Sequence, residues 1–245
     1  MVAAVCCCRR GPAARPYPAT AGSIQGLGPP HGAYAATISN GLWVPGVQLG
    51  CRSIGLAAGT AAADSVKVVS VVSPHPQSAL ILEVPEAEPA VQRLRERLDA
   101  SALLGVPAHI TVLAPFIPAD AIDAAVLGQL DRLFAAVSRF RFRLDHTGWF
   151  SVEVLWLGPQ EPAPFQALTH RVHQAFPAFP PFGGWFVEVV PHLTIGYGHP
   201  LSDLRAAEKA AQAHLPIEAR ASRVALMTQL SPGGQWVKTA SFSFT

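Results

Sequence analysis

The chain has 245 residues, half of them hydrophobic, with 18 Lys and Arg against 16 Asp and Glu. That length admits one large domain or two small ones, with ample apolar material for a core. No run of 18 or more apolar residues occurs, so no membrane-spanning helix is expected. The net charge of +2 hides an asymmetry. Residues 1–72 carry Arg9, Arg10, Arg15, Arg52 and Lys67 against Asp64, whereas the remainder carries 13 basic and 15 acidic side chains. The main body is therefore not a general attractor for long nucleic acid; a small phosphorylated ligand or one RNA end suits it better.

Residues 1–72 are rich in Gly, Ala, Pro and Ser and lack sustained periodicity. Such a segment buries too little apolar surface to offset its ordering entropy, and it is expected to be disordered or an upstream extension of the reading frame. It holds all four cysteines, Cys6, Cys7, Cys8 and Cys51, in no zinc or disulfide pattern. Met1–Cys8 runs into Arg9-Arg10 rather than an apolar signal core, so a cytoplasmic protein is expected.

The folded body is expected over residues 73–245. Ala79–Val84 reads as a short apolar strand. Val91, Leu94 and Leu98 recur at helical spacing and predict a helix over Glu86–Ala100. A strand follows over Ala108–Ala114. A second helix runs from Pro118 to Val137, with Ile122, Val126, Leu130, Leu133 and Phe134 on its apolar stripe. Arg139–Asp145 alternates strictly, as a strand does. Then the order repeats: strand Val152–Leu157, helix Ala163–Phe176, strand Val189–Tyr197, helix Leu201–His214 and strand Ile217–Leu230. A last strand spans Trp236–Phe244. Two half-repeats, about 79–145 and 150–230, are thus expected to form two lobes related by an approximate two-fold axis.

Equivalent strands of these halves carry His109-Ile110-Thr111-Val112 and His192-Leu193-Thr194-Ile195. Residues i and i+2 of a strand share a face, so each His is expected beside its Thr, with Ile110, Val112, Leu193 and Ile195 turned into a core. Of the nine histidines, only these two are followed at i+2 by Ser or Thr. One such match is weak; two in equivalent places of a repeat form a composite site. Histidine titrates near neutrality, so one ring can take a proton while the other gives one. The hydroxyls can donate to phosphate oxygens as charge builds on them.

With Leu113-Ala114-Pro115-Phe116, Val154-Leu155-Trp156-Leu157-Gly158-Pro159 and Pro181-Phe182-Gly183-Gly184, these motifs resemble the two-histidine (2H) phosphoesterase superfamily. The similar type is the bacterial 2′-5′ RNA ligase and RNA 2′,3′-cyclic phosphodiesterase, and the likeness spans about residues 76–243. The resemblance implies an α+β, bilobal fold with pseudo-two-fold symmetry, mainly antiparallel sheets lining a central cleft and helices outside. It also implies metal-independent hydrolysis of 2′,3′-cyclic phosphodiesters of RNA ends or nucleotides, without a cofactor, by a monomer. His109 and His192 become the acid–base pair, with His192 as base and His109 as acid, and Thr111 and Thr194 become phosphate ligands. Alternatives are 2′-5′ RNA ligation, the reverse reaction, and a non-catalytic protein that binds a nucleotide or RNA end. The chain departs from many RNA-end members in placing Gly196-Tyr197-Gly198-His199, rather than a basic residue, after the second motif.

Phe116, Phe150 and Tyr197 are candidate substrate contacts, with core packing or a strand cap as the plainer reading of each. Arg139, Arg141 and Arg143 share one strand face and could draw phosphates in, although a solvated sheet face is the plainer reading. His170 and His173, at i and i+3 of a helix, are a weak metal pair, and no metal site is expected.

Overall fold

The computed structural model describes residues 76–184 and 188–245. Residues 1–72, expected to be disordered or an upstream extension, lie outside the described part. In chain order the strands are β1 (Gln77–Glu83), β2 (His109–Leu113), β3 (Phe140–Phe150), β4 (Val154–Pro159), β5 (Leu193–Tyr197), β6 (Ile217–Ala221), β7 (Arg223–Gln229) and β8 (Val237–Ser243). The helices are α1 (Glu88–Leu98), α2 (Ala100–Leu103), α3 (Ala124–Ala135), α4 (Ala163–Ala175) and α5 (Leu201–Gln212). The fold class is α+β, as expected. No described helix is long and apolar enough to cross a membrane.

Two four-stranded antiparallel sheets form, in the orders β2-β1-β7-β8 and β5-β4-β3-β6. The sheets do not follow the contiguous segments 79–145 and 150–230 read from the sequence. The last strand of each half leaves its own sheet: β3 pairs with β4, and β7 pairs with β1. Helices cross over in the same sense, α1 packing against β5 and α4 against β2. Each sheet therefore contains strands from both halves, and β2 and β5, which carry the two motifs, pack against each other.

The predicted strand 217–230 is divided at Ser222. Its first part pairs with β3 and its second with β1 and β8, so one apolar run serves both sheets. Phe244 N–H donates to the Ser222 carbonyl at the crossing (2.8 Å). The predicted helix 86–100 is likewise interrupted, at Asp99. Its backbone is extended there, and its carboxylate accepts from Ser101 N–H, starting α2. Asp123 does the same for α3, accepting from Val126 N–H, so that helix begins later than Pro118. The predicted strand Val189–Tyr197 is shorter too: β5 begins at Leu193, immediately after His192.

Both faces of each sheet are used differently. Leu80, Leu82, Ile110 and Val112 of one sheet, and Leu155, Leu157, Leu193 and Ile195 of the other, enter the main core with the helices. The opposite face of the first sheet has a smaller cluster, Ala79, Ile81, Ala225 and Met227, capped by Trp236. His109 and Thr111 belong to that second face, as strand alternation requires.

A buried ion pair fixes the chain ahead of β2. Arg95, 2% exposed, donates from Nη2 to Asp99 Oδ2 (2.9 Å) and from Nη1 to the Val106 carbonyl (3.2 Å). Replacing Arg95 with Met leaves the Asp99 carboxylate buried without its cation, an expected loss of about 3–5 kcal/mol in chemical unfolding. The double variant Arg95→Met/Asp99→Asn should recover part of that loss; if both variants unfold as the wild type does, the pair carries no such constraint.

Candidate active site

Each motif histidine is held in the same way. His109 Nδ1 lies 2.8 Å from the carbonyl of Pro107, and His192 Nδ1 lies 2.7 Å from that of Val190, each two residues upstream. A carbonyl only accepts, so both Nδ1 atoms carry the proton. The Nε2 atoms of the neutral rings are then bare bases. The carbonyl one residue further upstream is clamped from a helix in both halves. Arg95 of α1 holds Val106 O, and Gln166 Nε2 of α4 holds Val189 O (3.0 Å). Glu88 accepts from Ala108 N–H (2.7 Å), and Val84 N–H donates to Ala108 O (2.8 Å), which further fixes the approach to His109.

The strands also break register at equivalent places. Thr111 pairs with Ile81 and Leu113 with Leu80, leaving Val112 as an extra residue. Thr194 pairs with Trp156 and Gly196 with Leu155, leaving Ile195 extra. Each motif Thr is thus followed by a β-bulge, which re-aims the strand beyond it. Thr169 of α4 donates to the stranded Val112 carbonyl (2.7 Å). The second bulge turns Tyr197 onto the face of Thr194, since their partners Val154 and Trp156 lie two residues apart. Neither Thr111 nor Thr194 uses its hydroxyl on another described side chain, and both are half-buried. They remain available to a bound oxyanion.

Burial dominates the titration of both rings. It lowers His109 from 6.5 to about 4, helped by the Arg95 charge and by His192, and opposed by the Pro107 carbonyl and Asp99. Burial also lowers His192, against the pull of the Val190 carbonyl. Each charged imidazole is disfavoured where water is scarce, and His109 feels the charge of His192. In the unliganded cleft both rings are neutral at pH 7.

An aromatic row continues from His192 across the second sheet. Phe150 meets the His192 ring edge-on (4.8 Å between centroids), Trp156 lies 5.2 Å from Phe150, and His146 lies 5.8 Å from Trp156. Glycines make room for it. A Cβ on Gly148 would collide with the Trp156 indole, and one on Gly158 with the His146 ring. The sequence reading assigns Trp156 no role, although a signal is present: a strand tryptophan with glycine at i+2, in the segment Val154–Pro159.

Other candidates fall elsewhere. Phe116 does not face the cleft; it is 4% exposed and packs edge-on against Phe176 (5.1 Å) and Phe179 (5.8 Å). The run of apolar residues around it makes core packing the stronger force. Phe150 is beside His192, whereas its neighbour Trp149 points to the other side of the sheet. There its Nε1 donates to Glu208 (2.7 Å) and Arg205 lies over its ring (4.4 Å). Tyr197 shares the sheet face of Thr194, and burial and Glu153 raise its pKa. Among the described residues no group of three His, Cys, Asp or Glu is placed to hold a metal ion.

The family model of the 2′-5′ RNA ligase superfamily matches residues 83–232. The chain belongs to that superfamily, the two-histidine phosphoesterase group that its motifs resemble. No curated protein matches. Among solved structures, E. coli LigT complexed with NADP+ is similar at 16% identity and a TM-score of 0.46, over 71% of this chain and 99% of that one. TT0787 of Thermus thermophilus is similar at 21% identity and a TM-score of 0.46, over 68% and 97%. E. coli LigT complexed with 3′-AMP is similar at 15% identity and a TM-score of 0.43, over 69% and 98%.

The lowered histidine pKa has a consequence for stability. The unfolded chain binds a proton near 6.5, the folded His109 only near 4. Between those values the unfolded state holds more protons, so stability falls as pH falls through this window and is indifferent to His109 above it. Urea unfolding from pH 7 to pH 4 should show the wild type losing stability faster than His109→Gln. Parallel curves would mean that the ring is not held neutral.

Proposed function

We propose that this protein is a metal-independent phosphodiesterase that opens 2′,3′-cyclic phosphodiesters of nucleotides or RNA ends. The observation that carries the reading is the matched pair of imidazoles, each held through Nδ1 by the carbonyl two residues upstream. One free Nε2 comes from the first residue of β2 and one from the residue just before β5, each with a threonine hydroxyl two residues on. Family membership supports the class of chemistry, and the geometry supports its sharing between the two rings.

A cyclic phosphate bound between the motifs accepts hydrogen bonds from the Thr111 and Thr194 hydroxyls on its non-bridging oxygens. Its negative charge favours a protonated histidine beside it and offsets the burial that keeps the free rings neutral. One imidazole takes a proton from water as the water oxygen bonds to phosphorus. The other gives its proton to O3′ as the P–O3′ bond breaks, leaving a 2′-phosphomonoester. The Arg95 charge acts on His109 and not on His192, which favours His109 as the base and His192 as the acid, the reverse of the order suggested by the sequence. The hydroxyls strengthen their bonds as charge grows on the phosphate oxygens, the stage at which hydrogen bonds accelerate a reaction.

Turnover of cytidine 2′,3′-cyclic phosphate should vanish in His109→Ala and in His192→Ala, and persist in EDTA. Thr111→Ala and Thr194→Ala should each lower kcat on the order of 10²–10³-fold. The profile of kcat/KM should be bell-shaped with its maximum on the acid side of pH 6.5, because in the free enzyme His192 must be charged while His109 is neutral. The kcat profile should lie at higher pH, because bound phosphate raises both values. Near-wild-type turnover in either histidine variant would refute the paired mechanism; binding without turnover in the wild type would identify a non-catalytic binder.

A further inference from the structure

A shallow depression of about 270 Å³ opens where the two sheets join, lined by Arg139, Arg220, Ser222, Arg223 and Ser243. We propose that it binds a second phosphate of the substrate, covalently linked to the reacting one. The inference rests on the cyclic-phosphodiester reading above and deepens it, since it selects substrates that carry a second phosphate.

The chemistry of the lining is that of an oxyanion site. Three arginines and two serines line the depression, and no Asp or Glu does. None of Arg139, Arg220 and Arg223 forms an ion pair with a described carboxylate, in contrast with Arg143, which is engaged by Glu218 (2.6 Å). Glu86 approaches Arg220 only through the Arg220 backbone N–H (3.2 Å). Gathering three cations at one place is unfavourable unless an anion joins them, and planar guanidiniums suit phosphate oxygens.

The frame is rigid. Ser222 is the residue at which the chain passes from one sheet to the other, and Arg223 pairs with Ser243 across β7 and β8. Arg220 pairs with Arg141 across β6 and β3. Arg139 Nε donates to the Phe244 carbonyl (3.1 Å), which fixes the start of its fork. The local charge stands out because the rest of the folded body is slightly acidic.

The depression also lies on the face that bears the site. Phe140, Phe142 and Leu144 enter the core, so Arg139, Arg141 and Arg143 take the other face of β3. Leu144 pairs with Pro159 and His146 with Gly158, so Asp145 is an extra residue there. Beyond that break, His146, Gly148 and Phe150 pair with Gly158, Trp156 and Val154, and Trp156 pairs with Thr194. One surface thus runs from the motif threonine, over the Trp156 and His146 rings, to the arginines. A shorter route crosses the first sheet: His109 pairs with Glu83, Thr111 with Ile81 and Ile81 with Ala225, so Arg223 lies about two strands from the first motif on the same face, roughly 10–15 Å away. A nucleoside cyclic phosphate carries no second phosphate to place there. A short single strand carries one, with its bases passing rings of the kind that stack on them. A pyrophosphate-linked ligand is the other source of a second phosphate.

The test compares the wild type with Arg220→Ala/Arg223→Ala, both side chains being exposed. Three substrates are used: cytidine 2′,3′-cyclic phosphate, a tetranucleotide ending in 2′,3′-cyclic phosphate, and ADP-ribose cyclic phosphate. The expected result is a loss of kcat/KM on the order of 10-fold for the tetranucleotide, through KM, with cytidine cyclic phosphate unchanged within about 2-fold and a shallower salt dependence. A selective loss on the ADP-ribose substrate instead also supports the depression and assigns its phosphate to a pyrophosphate. Equal effects on all three, or none, overturn it. Anisotropy of a labelled tetranucleotide 3′-phosphate separates phosphate binding from hydrolysis. If the wild type hydrolyses none of the three, weaker binding by the double variant keeps the phosphate site and rejects the hydrolase, and unchanged binding rejects both.

Discussion

An exchange of strands between the two halves governs the remaining features of this structure. Because β3 pairs with β4 and β7 with β1, neither half owns a complete sheet. Separating the halves would strip both sheets of a central strand and leave rows of backbone N–H and C=O groups unpaired. The run from Ile217 to Gln229 lies in both sheets, bent at Ser222, and so ties them directly. Packing of β2 against β5 follows from this arrangement, and with it the meeting of two motifs that lie more than eighty residues apart in the chain.

Within that frame the two histidines are placed by backbone carbonyls rather than by carboxylates. A carbonyl fixes the tautomer and the ring plane without bringing a negative charge that would favour imidazolium. Burial then dominates, and both rings are neutral at pH 7. The ion pair of Arg95 and Asp99 acts at one remove: it holds Val106 O, three residues before His109, and its cation lowers the His109 pKa. Gln166 has the corresponding place before His192 and is uncharged. The two halves therefore match in hydrogen-bond pattern but differ in electrostatics, which distinguishes two otherwise equivalent histidines.

Much of this is legible in the chain itself. Period-two and period-3.6 patterns locate all the main strands and helices, because apolar side chains must reach a core from every element. Boundaries escape that pattern where a polar side chain competes with the backbone, as at Asp99 and Asp123, whose carboxylates start new helices. For Phe116 the sequence leaves base stacking and core packing both open, because an aromatic residue at the exit of a motif strand serves a core or a cleft with the same local sequence. Only its neighbours Phe176 and Phe179, about sixty residues on, decide between them. Trp156 is given no role from sequence because the room for its ring depends in part on Gly148, a residue of another strand.

Local pattern alone determines the groups on offer: two His-x-Thr motifs in equivalent places of a repeated order of elements, with alternation setting each His and Thr on one face. Alternation is local, since it follows from the pleat of a single strand. Which strands share a sheet, and on which side of the bulges Tyr197 lies, are settled by long-range packing instead. So are the desolvation of each imidazole and the gathering of arginines beside Ser222. Those properties depend on partners distant in sequence, and the pairing of β3, β6, β7 and β8 across the two halves fixes them together.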